Sequence, residues 1–147
     1  MKTFFVRHAE STAQASADRS RNPPLSLNGI EQAKALCIEA DTVICSPMQR
    51  TQQTVFNSRR RCTGILFTEL CREIRQGNPC DYFDYEDIEI HETRFQTLER
   101  IEQLKGIVAS IRSKKPDEVI CIVSHHCFVG MVTGVWLDNC QMVEIDW

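Results

Sequence analysis

Two rhythms of apolar residues alternate along this chain. Short runs rich in β-branched and aromatic residues recur at Thr3–Val6, Thr42–Cys45, Ile65–Leu70 and Val119–Val123. The last is unbroken and apolar, the pattern of a central strand covered on both faces. Between the runs, apolar positions fall every three or four residues. Ile30, Ala33, Leu36, Cys37 and Ala40 form one helical face, with Asn28 as N-cap and Glu31 three residues later as its capping-box partner. Ser46-Pro47 predicts a second helix, serine capping and proline at the first helical position, ending near Arg59. Phe95, Leu98, Ile101, Leu104, Val108 and Ile111 mark a third, and a fourth spans about Cys127–Leu137. Met142–Trp147 reads as a closing edge strand.

Two stretches lack either rhythm. Residues 11–24 are polar and end in Pro23-Pro24, so they read as a loop. The region of about 71–94 carries Gly77, Pro79 and many acids and reads as a short lid. Strands alternating with helices predict a three-layer α/β/α sandwich with a mostly parallel central sheet. At 147 residues, the prior is one domain over 1–147.

Composition narrows the function classes. The net charge of -3 weighs against a general nucleic-acid binder. The acids from Asp81 to Glu92 and the basic run Arg59-Arg60-Arg61 read first as solvent-facing charge. Eight cysteines contain no Cys-x-x-Cys pair, which disfavours a structural zinc or a thioredoxin-like site. Cys45 and Cys121 lie in strand runs and Cys37 in a helical one, so they read as small buried hydrophobes. The first run follows directly on Met1-Lys2, which leaves no room for a secretion signal, and no window approaches 18 apolar residues. A reducing cytoplasm is the expected setting, with no membrane partner.

The chemistry gathers at strand exits. His8 follows Val6-Arg7, and His125 follows Val123-Ser124. Such positions lie at the carboxyl edge of a parallel sheet, where α/β proteins bind ligands. A neutral imidazole is a competent nucleophile toward phosphorus, provided cations draw charge from the phosphate oxygens. Arg7 adjoins His8, and Arg50 falls in the first turn of the helix after Ser46-Pro47, where helix N-termini already favour anions. A poor alkoxide leaving group also needs an acid, and Glu73 stands just past a predicted strand end.

These residues resemble, as an ordered set, the histidine phosphatase superfamily that includes the cofactor-dependent phosphoglycerate mutases. Arg7-His8-Ala9-Glu10-Ser11 resembles its Arg-His-Gly signature. Leu25-Ser26-Leu27-Asn28-Gly29 and Ser46-Pro47-Met48-Gln49-Arg50-Thr51-Gln52-Gln53-Thr54 resemble its next two motifs. Leu70-Cys71-Arg72-Glu73 with Gly77, then Glu92-Thr93-Arg94-Phe95 with Arg100, then Ser124-His125-His126 follow in order. The resemblance implies that His8 becomes phosphorylated, that Arg7, Arg50 and His125 form the phosphate pocket, and that Glu73 donates the proton. Gln14 stands where many members place an asparagine near phosphate. The implied reaction needs neither metal nor cofactor.

Departures from the motifs leave alternatives open. Ala9 and His126 replace glycines, and Ala9 requires a backbone at negative φ. The acid motif is offset by one residue, so Glu69 is the rival donor and Glu10 a third. The short lid favours hydrolysis over mutase chemistry. The expected activity is therefore a phosphomonoesterase acting on a small phosphorylated metabolite. Its alternatives are a protein phosphohistidine phosphatase and a non-catalytic phospho-ligand or protein-binding module. A cysteine phosphatase is disfavoured because no cysteine has arginine at Cys-x5-Arg spacing, and a metal hydrolase because four histidines include no His-Glu-x-x-His.

Overall fold

A computed structural model describes residues 2–147. Its main sheet contains β1 (Thr3–Arg7), β3 (Thr42–Cys45), β5 (Gly64–Phe67), β6 (Ile120–Ser124) and β7 (Met142–Ile145), in the order β5-β3-β6-β1-β7. Neighbouring strands run parallel except at β7, which lies antiparallel along β1 as the edge. A second, two-stranded parallel sheet pairs β2 (Cys37–Glu39) with β4 (Arg59–Arg61). The helices are α1 (Thr12–Ala15), α2 (Leu27–Ala35), α3 (Gln49–Asn57), α4 (Arg94–Lys114) and α5 (His126–Thr133). This is an α/β/α sandwich.

Strand alternation sends successive side chains to opposite faces. Phe5, Ile44, Ile120 and Ile122 pack with Leu104 and Val108 of α4 and Phe128 and Val129 of α5. Val6, Val43, Cys45, Cys121 and Val123 pack with Leu36, Ile38 and Val55 on the other face. The runs of β1, β3 and β6 therefore lack a polar face because both of their faces are covered.

Several expected boundaries move, some through contacts distant in sequence and some through local caps. The helix expected to reach Ala40 ends at Ala35, because Cys37–Glu39 finds a strand partner in Arg59–Arg61. Cys37 is consequently exposed rather than buried. Ser26, not Asn28, caps α2, accepting from the Gly29 N–H at 2.9 Å. Its place is fixed from outside the helix, since the Ser26 N–H donates to the Glu10 carbonyl at 3.0 Å. Met48, not Ser46, is the N-cap of α3, which begins at Gln49 and still holds Arg50 in its first turn. Ser46 instead turns its hydroxyl to His125. Within the expected loop at 11–24, Ser11 and Gln14 form a capping box that makes the one-turn helix α1. The Ile65–Leu70 strand stops at Phe67, and Thr68 caps a 3-10 turn over Glu69–Cys71. The last helix stops at Thr133, where Gly134 takes a left-handed φ of 75°.

Candidate active site

The register of three strands builds the site. In β1 and β6, Val6 lies opposite Val123 and Arg7 opposite Ser124, so His8 and His125 leave the sheet side by side. Cys45 also lies opposite Val123, which brings Ser46 to the same edge. The His8 N–H donates to the Ser124 carbonyl at 3.1 Å, and the Ser46 N–H to the Val123 carbonyl at 3.1 Å. The His8 and His125 rings meet edge to face, with centroids 5.2 Å apart.

A cavity of about 670 Å³ opens at this edge. Arg7, His8, Gln14, Arg50 and Glu73 line it. His125 does not. It is fully buried beside His8, with Nε2 2.8 Å from the Ser46 hydroxyl and Nδ1 without a partner among the described residues.

His8 is nearly buried, and its Nδ1 lies 2.6 Å from the Ala9 carbonyl oxygen. A carbonyl only accepts, so Nδ1 carries the proton and Nε2 holds the free lone pair. Arg50 Nε donates to that Nε2 at 3.3 Å. Burial, then the Arg50 charge, hold the His8 imidazole well below the usual histidine range, so it is neutral at pH 7. Burial and Arg50 act on His125 in the same direction. Ala9 takes none of the positive φ values found among non-glycine residues, and its N–H donates to Thr54 Oγ1 at 2.9 Å. Alanine therefore replaces glycine here without backbone strain.

Arg7 donates from Nη1 to the Leu137 carbonyl at 3.0 Å. Its buried Nε has no partner among the described residues. An orphan cationic N–H beside a cavity fits an incoming anion, because leaving it unpaired is costly. Arg50 is more occupied: Nη1 donates to the Cys80 carbonyl at 2.7 Å and Nη2 to Asp81 Oδ1 at 2.8 Å. Gln14 reaches the cavity with its amide already engaged. Its oxygen accepts from the Ser11 N–H at 3.1 Å, and its nitrogen donates to Asn139 at 3.2 Å. Asn139 in turn donates to the His8 carbonyl at 2.9 Å.

Glu73 sits over the N-terminus of α5. Oε1 accepts from the N–H groups of Ile74 at 2.9 Å and Phe128 at 2.8 Å, and Oε2 from Cys127 at 2.9 Å. Burial, then Asp81, push its carboxyl above the ordinary value, while the three N–H donors pull it back. Oε2 therefore retains a lone pair that can carry a proton. Glu69 has a side chain 67% exposed, pairs with Arg72 and does not line the cavity. Glu10 points elsewhere, accepting from Ser26 Oγ at 2.7 Å. His126 does line the cavity, with Nδ1 held 3.0 Å from the Leu137 carbonyl oxygen and its ring against Trp136.

Two groups in the site carry no clear mark in the sequence. Asp81 falls in a run of acids that reads as solvent-facing, yet it is buried and paired with Arg50. Arg72, inside the acid motif, is fully buried, forked onto Glu86 at 2.6 and 3.1 Å and stacked on Phe83. The only sequence signal for either is position inside the 71–94 stretch.

The family model of the histidine phosphatase superfamily (branch 1) matches residues 3–145. The chain belongs to that superfamily. Its general activity is phosphomonoester hydrolysis through a phosphohistidine intermediate, without a metal ion. Among the described residues, no group of three or more His, Cys, Asp or Glu side chains could hold a metal. No helix of these residues is long and apolar enough to cross a membrane. The fold is similar to that of an open-reading-frame product from Mycobacterium tuberculosis, at 17% identity and TM-score 0.73, covering 99% of this chain and 91% of that one. It is similar to the α-ribazole phosphatase from Shigella flexneri, at 17% identity and TM-score 0.69, covering 99% and 90%. It is also similar to the protein histidine phosphatase SixA solved with tungstate, at 14% identity and TM-score 0.66, covering 99% and 88%. No curated protein sequence matches significantly.

Proposed function

We propose that the protein hydrolyses a small phosphorylated metabolite, with His8 Nε2 as the nucleophile. The observation that carries this is the His8 tautomer: Nδ1–H is tied to the Ala9 carbonyl at 2.6 Å, so Nε2 carries the lone pair, which accepts from Arg50 Nε at 3.3 Å until a phosphoryl group draws that arginine away. In this reading Nε2 attacks phosphorus, the bond from phosphorus to the leaving oxygen breaks, and Glu73 supplies that oxygen with a proton. Arg7 and Arg50 bind the phosphoryl oxygens and stabilise the charge that builds in the transition state. His125, behind His8, supports the same pocket. Water then attacks the phosphohistidine, giving its proton to Glu73, and inorganic phosphate leaves. The cavity of about 670 Å³ suits a small molecule. Its outer wall carries Gln76, Asn78, Arg94 and Met131 for contacts beyond the phosphate.

One observation favours a second substrate class. Three backbone N–H groups already satisfy the Glu73 carboxylate, which opposes its holding a proton. Phosphohistidine has a good nitrogen leaving group and can dispense with that acid, so a protein phosphohistidine phosphatase is the second reading. A chelator-treated screen of phosphometabolites and a phosphohistidine protein, with His8→Ala as control, tests both. Turnover of a metabolite above the protein substrate, abolished in His8→Ala, is the expected result. Turnover of the phosphohistidine protein alone would establish the second reading, and equal turnover by His8→Ala would overturn both.

A further inference from the structure

Arg50 has five N–H donors, and the chain itself uses three of them. Nε faces His8, Nη1 faces the Cys80 carbonyl, and Nη2 faces the Asp81 carboxylate. A carboxylate thus sits on the arginine assigned above to the substrate's phosphoryl group, inside the cavity that receives it. Asp81 lines that cavity together with His8 and Arg50. Glu73 is close enough for the two carboxylates to repel. A phosphate dianion added beside both would face their combined charge.

We propose that Asp81 is an internal occupant of the phosphate cradle, holding on Arg50 the place of a phosphoryl oxygen until a substrate displaces it. The inference rests on the phosphatase reading of this cavity. Local anchoring makes the displacement feasible without opening the surrounding chain. Asp81 ends a 3-10 turn, Pro79–Asp81, capped by Asn78. Its carbonyl accepts from Arg72 Nη2 at 2.9 Å, and Arg72 is forked onto Glu86. The backbone is therefore pinned. Among the described residues, the hydrogen bonds to the carboxylate come from Arg50 and from the Cys80 thiol at 3.4 Å. Rotation about its two side-chain torsions releases Arg50 and leaves the turn in place.

The consequence is selectivity. A ligand that offers only a phosphate must break the Arg50–Asp81 pair and gains only the contacts of the cradle itself, such as the unpartnered Arg7 Nε. A substrate that also touches Gln76, Asn78 or Arg94 offsets that loss. Asp81 thus weakens binding of free phosphate, including the product of the reaction.

Inorganic phosphate is the probe, titrated by calorimetry into wild type, Asp81→Asn and Asp81→Ala. Loss of the competing charge should tighten phosphate binding roughly tenfold or more in both variants, the range of close charge-pair couplings. A role in merely anchoring Arg50 predicts the opposite sign. Unchanged or weaker binding in both variants, with phosphate still bound by wild type, overturns the inference and leaves the phosphatase reading intact. Phosphate binding to none of the three proteins overturns both. Asp81→Asn keeps the shape of the side chain, so it carries the test if Asp81→Ala fails to fold.

Discussion

His8 and His125 stand at matching strand ends, yet their rings meet different surroundings. His8 borders the cavity, whereas His125 is sealed behind it against Ser46. The difference arises from the partners of each ring. The Ala9 carbonyl fixes the His8 proton on Nδ1 and leaves Nε2 unprotonated, accepting from Arg50 Nε. In the proposed mechanism, Arg50 and Glu73 take the remaining roles, and each role is testable. Arg50→Ala should lower kcat/KM by about 10²- to 10³-fold. Lysine should rescue it poorly, because its single ammonium lacks the planar fork that binds two phosphoryl oxygens at once. Steady-state kinetics on the two variants read this directly, and a near-normal Arg50→Lys would remove Arg50 from the phosphate site. Glu73→Gln should impair hydrolysis of alkyl phosphates far more than that of p-nitrophenyl phosphate, whose leaving group departs without an acid. Burial raises the Glu73 carboxyl, and a donor must be protonated, so wild-type activity on alkyl esters should fall as pH rises through that value. Exposed Glu69→Gln should leave the leaving-group dependence unchanged. The reverse pattern would transfer the acid role to Glu69.

At the scale of elements, what is legible in the sequence follows from local chemistry. The β6 run announces itself as a covered strand, and α4 shows its apolar face through Leu104 and Val108. The strand exits at His8 and His125 come from the same runs. Three of the misplaced features depend on contacts distant in sequence. Cys37–Glu39 becomes a strand only because Arg59–Arg61 lies beside it. Ser26 becomes a cap only because Glu10 holds its backbone. Asp81 finds its ion partner in Arg50, 31 residues earlier. No periodicity encodes such pairings. The Glu10 contact also explains the glycine in Leu25-Ser26-Leu27-Asn28-Gly29. A Cβ on Gly29 would stand 1.9 Å from the Glu10 carbonyl oxygen, a backbone atom with no room to retreat. Gly29→Ala should therefore destabilise the protein by about 3 kcal/mol or more. Gly106, in the middle of α4, has open space around it, with nothing within 4 Å of where a methyl group would stand. Gly106→Ala should therefore add about 0.5–1 kcal/mol of stability. Urea unfolding of the two variants gives both signs, and equal stability would refute the close-approach explanation.

Across the whole molecule, the buried histidines tie stability to pH. The folded values of His8 and His125 lie well below the unfolded value near 6.5. The unfolded chain therefore binds protons that the folded chain refuses. Their contribution is fully present above pH 6.5 and is lost as pH falls below it, by up to about 1.4 kcal/mol per pH unit for each group. Glu73 and Asp81 are shifted upward and offset part of this loss at lower pH, because the folded state takes up their protons first. Thermal melting between about pH 7.5 and 5.5, either side of the unfolded histidine value, should show a falling midpoint in wild type and a shallower fall in His8→Gln. Parallel curves would show that His8 is not refused a proton by the fold.

The proposed mechanism makes the neutral, oriented His8 the residue that becomes phosphorylated. Rapid acid-free quenching of the enzyme with ³²P-labelled substrate, followed by peptide mapping, tests that most directly. The expected result is an acid-labile, base-stable phosphoryl adduct on His8, formed at a rate no slower than turnover and absent from His8→Ala. Turnover with no adduct on His8, retained in His8→Ala, would contradict it.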